Sequence, residues 1–357
     1  MNIYISMTKS DVKRAFKEDG NIKTHIGGQA LIEGVMMRGK SCWAVAVREP
    51  SGVVYTEEHD LRKSRGKGWL SWPLIRGCVA LIDSLTIGLK ALEIAANHAI
   101  ADEYEDSDKE EAREGIFSDK TIHPTSMERS SSDVESDSFG KGAMALSMIL
   151  GIALGLALFI FLPALVSNVL VGDYDTNTLA WNIIDGLARV AIFVFYVWLI
   201  GRMKDIKRMF AYHGAEHKTI HCYEHGLALT PENARSFPRL HIRCGTAFLI
   251  MVMIIAILVY TIIPLDKVIV GFGIADNAAK FLLVLLARVI LLPFIAGLSY
   301  EITVKWAGSH PDNALVKVIL WPGMQMQRLT TNEPDNDQLE CAIVAMKSVL
   351  EKEKQVE

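Results

Sequence analysis

The chain has 357 residues, half of them apolar, and a formal net charge of −4. A weakly negative balance does not mark a nucleic-acid binder, and no nucleic-acid partner is expected. Five cysteines (Cys42, Cys78, Cys222, Cys244 and Cys341), an odd number without paired spacing, do not make a disulfide framework.

In chain order, residues 1–22 read as a flexible polar lead with no signal-peptide pattern. Residues 23–100 read as a small cytosolic β-rich domain followed by an interfacial helix. "GGQALIEGVMMRG" (Gly27–Gly39) is β-like, and Ser41–Leu61 reads as two strands around a Pro50-Ser51-Gly52 turn. The glycines of the first motif suit close strand packing better than phosphate binding, since the strand–GxGxxG–helix context is missing. Glu33 and Arg38 within it are candidates to pair, or to line a cleft against the histidine-rich segment described below. Trp72–Ile100 predicts a long helix on which Arg76, Asp83 and Lys90 share one face. Its other faces are apolar, as in a helix lying in a membrane interface; a plain soluble core helix is the alternative. Residues 101–140 are acidic and serine-rich and predict a disordered linker.

Residues 141–305 predict a membrane domain. Four apolar blocks, Ala143–Val171, Leu187–Gly201, Thr246–Ile263 and Phe281–Tyr300, read as transmembrane helices. The loop between the second and third carries Arg202, Lys204, Lys207, Arg208, Lys218, Arg235, Arg239 and Arg243. The loop between the first and second carries acids and no Lys or Arg. The positive-inside rule then puts loop 202–245 and both termini in the cytosol, in a multi-pass protein of the inner (plasma) membrane. All five cysteines fall on that reducing side. Residues 306–357 form a cytosolic tail. In it Asp335 or Asn336 caps a helix with an apolar stripe of Leu339, Ile343, Met346 and Leu350, which docks on the N-terminal domain or on a partner. The expected fold is thus an α+β membrane protein: a small cytosolic β-rich domain, an interfacial amphipathic helix, four transmembrane helices and a cytosolic histidine-rich helical loop.

The chemistry concentrates in "YHGAEHKTIHCYEHG" (Tyr212–Gly226). His213, His217 and His221 are spaced four apart and share one helical face. His213-x-x-Glu216-His217 is the inverted form of the HExxH motif, in which two histidines hold zinc and the glutamate handles the proton of a metal-bound water. A solvated basic helix near lipid headgroups would account for the same run. A third ligand is needed, and Cys244 or His241 in "HIRCG" comes first, then Glu301; His221 and Glu224 are further candidates. The cofactor expected is a divalent metal, zinc by donor type.

Together "GGQALIEGVMMRG", "YHGAEHKTIHCYE", "HIRCGTAFL" and "WPGMQMQRLTTNEPDNDQLECAI" (Trp321–Ile343) resemble the YqhQ-like family of bacterial membrane proteins, a family of unknown function described as predicted metal-dependent enzymes. The resemblance covers most of the chain outside the acidic linker and the extreme N-terminus. It implies His213, Glu216, His217, His241 and Cys244 as site residues and no substrate; the inverted motif makes Glu216 the catalytic one. The function expected is a metal-dependent hydrolase at the cytosolic face of the membrane. A non-enzymatic scaffold or assembly factor with a structural histidine cluster is the alternative, and a transporter ranks last. Expected partners are the lipid bilayer, other membrane proteins and further copies of the chain.

Overall fold

The computed structural model describes residues 12–15, 20, 22, 24–61, 68–99, 146, 149–172, 177–263, 265–273, 278–307, 309–310 and 313–356. The acidic linker and most of the polar lead lie outside the described residues. Two units divide the chain, one of residues 1–101 with 194–357, the other of residues 102–193.

The first unit is built on a four-stranded antiparallel meander: β1 (Gly27–Leu31), β2 (Gly34–Arg38), β3 (Cys42–Arg48) and β4 (Val54–Asp60). Glu33 takes a positive φ of 51° at the tight β1–β2 turn. β2 and β3 read "GVMMR" and "CWAVAVR", nearly without polar alternation, because both faces of the sheet are covered. One face, with Met36, Trp43, Val45 and Val47, packs on Ile87, Ala91, Ile94 and Ala95 of α1 (Ile75–Ala99).

The second unit contains a span, Ile149–Val171, that passes through a π-turn (Ala157–Phe161) into α2 (Leu162–Val171). It also contains most of α3 (Thr178–Ile200). Asp185 lies within α3 and pairs with Arg189 one turn on, at 2.8 Å.

The second apolar helix and the histidine-rich helix are separate elements. α3 ends at Ile200, Met203 is extended (φ −68°, ψ 140°), and a separate helix α4 (Lys204–Glu224) begins. The chain folds back so that the Phe210 ring covers Gly201, where a Cβ would stand 3.1 Å from it. The break isolates a helix buried over nearly its whole second half, from Phe210 to Cys222.

α5 (Pro231–Arg235) interrupts the return to α6 (Gly245–Ile262), which packs along α7 (Ala278–Tyr300) through Met251, Ile255, Val259 and Ile295. α8 (Ala314–Thr330) follows, with Pro322 in its interior, and then α9 (Asn336–Val356). Asp335 caps α9 by accepting the Gln338 N–H at 2.8 Å. Leu339, Ile343 and Met346 of the predicted stripe are buried with Tyr212 and Ala215 of α4 against the second face of the sheet. The tail therefore docks on the N-terminal sheet of its own chain.

Among the described residues three helices are long and apolar enough to cross a membrane: Ile149–Val171, Thr178–Ile200 and Leu286–Ala307. The apolar part of α6, Phe248–Ile262, is shorter.

Candidate functional site

α4 carries the site. Helical spacing stacks His213, His217 and His221 on one face, and the loop 225–244 returns along it so that backbone carbonyls meet the rings. His213 Nδ1 donates to the Thr330 carbonyl at 2.9 Å, and His217 Nδ1 to the Arg239 carbonyl at 2.6 Å. Each contact orients the ring through Nδ1 and leaves Nε2 for other partners, as outer-shell carbonyls do for metal-binding histidines. His213 Nε2 lies 3.2 Å from Cys244 Sγ, while His217 Nε2 is buried without a hydrogen-bond partner. One ligand atom from each of His213, His217 and Cys244 lies within 4.8 Å of the other two.

Glu216 projects beside them. The Gly28 N–H donates to its carboxylate, and its Oε2 is buried with no partner. Gly28 must be glycine for this approach, since a Cβ would stand 3.0 Å from the Glu216 carboxyl carbon and 2.5 Å from the Met36 carbonyl oxygen. Burial pushes the Glu216 carboxyl above its ordinary range. Burial opposes charge on His213 and Cys244 as well, yet the pair overcomes it. Cys244 lifts the His213 imidazole to about 9, while His217 and His213 hold the Cys244 thiol well below its usual value. Without a cation between them, the two rest as imidazolium and thiolate.

Not every sequence-predicted residue joins this group. His241 falls in a second one with His221 and Glu224, again with ligand atoms within 4.8 Å of one another. That group is largely satisfied internally. Arg243 forms an ion pair with Glu224, whose other oxygen lies 3.6 Å from His241 Nε2, and the Arg243 N–H donates to His241 Nδ1 at 3.3 Å. His221 Nε2 donates to the Leu240 carbonyl at 3.0 Å. Burial holds both His221 and His241 well below their usual pKa, and so uncharged. Glu301 stands elsewhere, in an ion pair with Arg76 on α1. Glu33 pairs with Arg208 and accepts from Tyr212 Oη at 3.1 Å, bracing α4 against the β1–β2 turn. Arg38 lines the cavity described next.

That cavity, of about 270 Å³, opens beside the ligand group. Glu216, His217, His241 and Cys244 line it, together with Arg38, Arg243, Gln29 and Ser84. α8 is a second helix in the 306–357 tail, for which only the later one was expected, and it makes two contributions. Gln327 clamps the His241 backbone from both sides, accepting its N–H and donating to its carbonyl at 2.9 Å each. Thr330 offers the carbonyl that orients His213. The signal was present in "GMQMQRLTT", where Met324, Gln327 and Thr330 recur at helical spacing.

A family model, "Protein of unknown function (DUF1385)", matches residues 72–352. The chain belongs to this family. It is also 29% identical over 336 residues to the protein named "Uncharacterized protein YqhQ" of Bacillus subtilis (strain 168), covering 91% of this chain and 92% of that one. No solved structure matches.

Proposed function

We propose that this membrane protein is a metal-dependent hydrolase whose ion is held by His213, His217 and Cys244. One observation carries the reading. Ligand atoms of two imidazoles and a thiol, His213, His217 and Cys244, lie within 4.8 Å of one another; His217 and Cys244 line a cavity that Glu216 also borders, and Glu216 Oε2 is buried with no partner. A buried polar atom without a partner is costly, and a cation would satisfy these donors together. Ordinary Zn–N and Zn–S lengths in tetrahedral geometry separate N from S by about 3.5 Å. His213 Nε2 and Cys244 Sγ are 3.2 Å apart, so little movement is required. Three protein ligands leave a fourth position open, the pattern of catalytic rather than structural zinc.

When bound, such an ion supplies a water of pKa near ~7 at the cavity floor. The chain's own residues do the rest. Thr330 and Arg239 carbonyls fix the two imidazoles. Glu216, held by the Gly28 N–H and raised in pKa by burial, accepts a proton at Oε2 and returns it to the leaving group. Arg38 and Arg243 provide positive charge around the substrate space.

The membrane part of this reading has four crossings, α6 being the short one, with the charged loop and both termini in the cytosol of an inner membrane. The cationic loop after α3 and the acidic, cation-free one before it support that orientation.

Metal analysis of the purified full-length protein tests the centre. About one tightly held zinc per chain is expected, lost in the His213→Ala, His217→Ala double variant. Full metal content in that variant would remove the reading.

A second reading has an observation of its own, the His213–Cys244 contact and the depressed thiol pKa. These also describe a cysteine nucleophile activated by a histidine. Here activity would survive chelation, whereas the metal reading predicts its loss.

A further inference from the structure

The cavity and the membrane share one helix. At its start α1 packs on the span Leu286–Ala307: Cys78 Sγ donates to the Pro293 carbonyl at 2.9 Å, and a Cβ on Gly77 would stand 2.8 Å from the Gly297 Cα. Pro293 and Gly297 lie well inside that span, so the first turn of α1 sits at hydrocarbon depth or close to it. Two turns further on, Ser84 and Ile87 of the same helix line the cavity. At 1.5 Å per residue, Cys78 and Ser84 are only about 9 Å apart along the axis.

The outer face of α1 over the same turns is apolar and uncovered. Ile82, Leu85 and Leu89 are each 58–68% exposed and recur at helical spacing. Trp69 and Trp72, just before the helix, are also exposed. Aromatic residues with an apolar helical stripe are what a membrane interface receives. Continuity with the span next to it says which surface covers this face: lipid, rather than a soluble partner.

On the inner side the cavity carries two guanidinium groups, of which Arg243 is ion-paired with Glu224, together with the carboxyl of Glu216. Arg38 and Arg243 both line the cavity, and Arg38 donates to Ser84 Oγ at 3.4 Å, where exposed Ser84 marks the cavity's edge. Backbone at Gly27, Gly28 and Gly39 borders the same space.

We infer that the substrate is a membrane-resident amphiphile whose anionic head enters the cavity past Ser84 to lie between Arg38 and Arg243, while its apolar chain stays along the outer face of α1. The inference rests on the reading of this cavity as the reaction site and adds the substrate class. A helix that is cavity wall on one side and bilayer contact on the other needs no water-soluble diffusion of substrate. The head reaches the floor of the site by moving about one helix diameter from the interface.

The test uses metal-free full-length protein in zwitterionic nanodiscs and reads the rate at which iodoacetamide alkylates Cys244. It is therefore independent of metal content and turnover. Dodecyl phosphate is expected to slow alkylation by about tenfold at concentrations where inorganic phosphate and dodecyltrimethylammonium have no effect. Arg38→Gln should abolish the protection. Leu85→Asp, at an exposed position that leaves folding intact, should raise the dodecyl phosphate concentration needed by a similar factor. Equal protection by inorganic phosphate would show a water-soluble anion site and overturn the proposal. So would an unchanged rate with dodecyl phosphate, or undiminished protection in both variants. Any of these failures leaves the metal centre standing, because zinc content is measured separately.

Discussion

Cys244 is the side chain on which the proposed chemistry turns, and its environment differs from that of Cys42, Cys222 and Cys341. Cys222 and Cys341 are buried among apolar groups that push their thiols up to about 11, and burial raises Cys42 as well. Cys244 instead faces two imidazoles that hold it as thiolate despite burial. In folded, metal-free protein at neutral pH, mass spectrometry should therefore find Cys244 alkylated at least about tenfold faster than those three, since each pKa unit is a factor of ten in thiolate. The sign follows from the depressed pKa. The thiolate is present above the lowered value and is lost only as the pH falls through it, so the rate should be flat where an ordinary thiol's rises steeply. Zinc should suppress the reaction. A Cys244 that reacts no faster than Cys341, or a rate that climbs tenfold per pH unit between 6.5 and 8.5, would contradict the pairing seen here.

Secondary-structure elements show which features the sequence could disclose. The i, i+4 histidines and the apolar stripe of α9 were legible because each is a local period, and burial of Leu339, Ile343 and Met346 follows it. The sheet was legible from its β-branched and aromatic strands, though not that it is covered on both faces, which only "CWAVAV" hints at. The break after α3 was not legible. Nothing in "WLIGRMKD" forbids a helix except Gly201, and the break is decided by Phe210 packing back over that glycine. His241 was grouped with His213 because the chain brings "HIRCG" back beside α4. The separation arises from Gln327, eighty-six positions away, which fixes the His241 backbone and turns its ring towards Glu224. α6 carries a prediction at this scale. If it crosses the bilayer despite its short apolar run, Asn177→Cys is labelled by a membrane-impermeant maleimide in intact cells, and Lys354→Cys only after lysis. Labelling of Lys354→Cys in intact cells would reverse or renumber the crossings.

Across the whole molecule, the membrane and the chemistry meet in a few shared elements. α4 is buried by the sheet, the tail helix α9 and the loop 225–244, so four histidines sit in the interior rather than on a solvated basic helix. α1 links that interior to α7, and α8 orients His213 and His241. Residues from Gly28 to Thr330 thus border the candidate site, which brings together motifs spread along the chain. The most direct measurement of that centre is X-ray absorption at the zinc edge on zinc-loaded protein, wild type beside Cys244→Ser. A sulfur shell at about 2.3 Å with nitrogen or oxygen neighbours at about 2.0 Å is expected, and the sulfur shell should be lost in the variant. A wild-type spectrum with no sulfur neighbour, or a sulfur shell that survives Cys244→Ser, would contradict it.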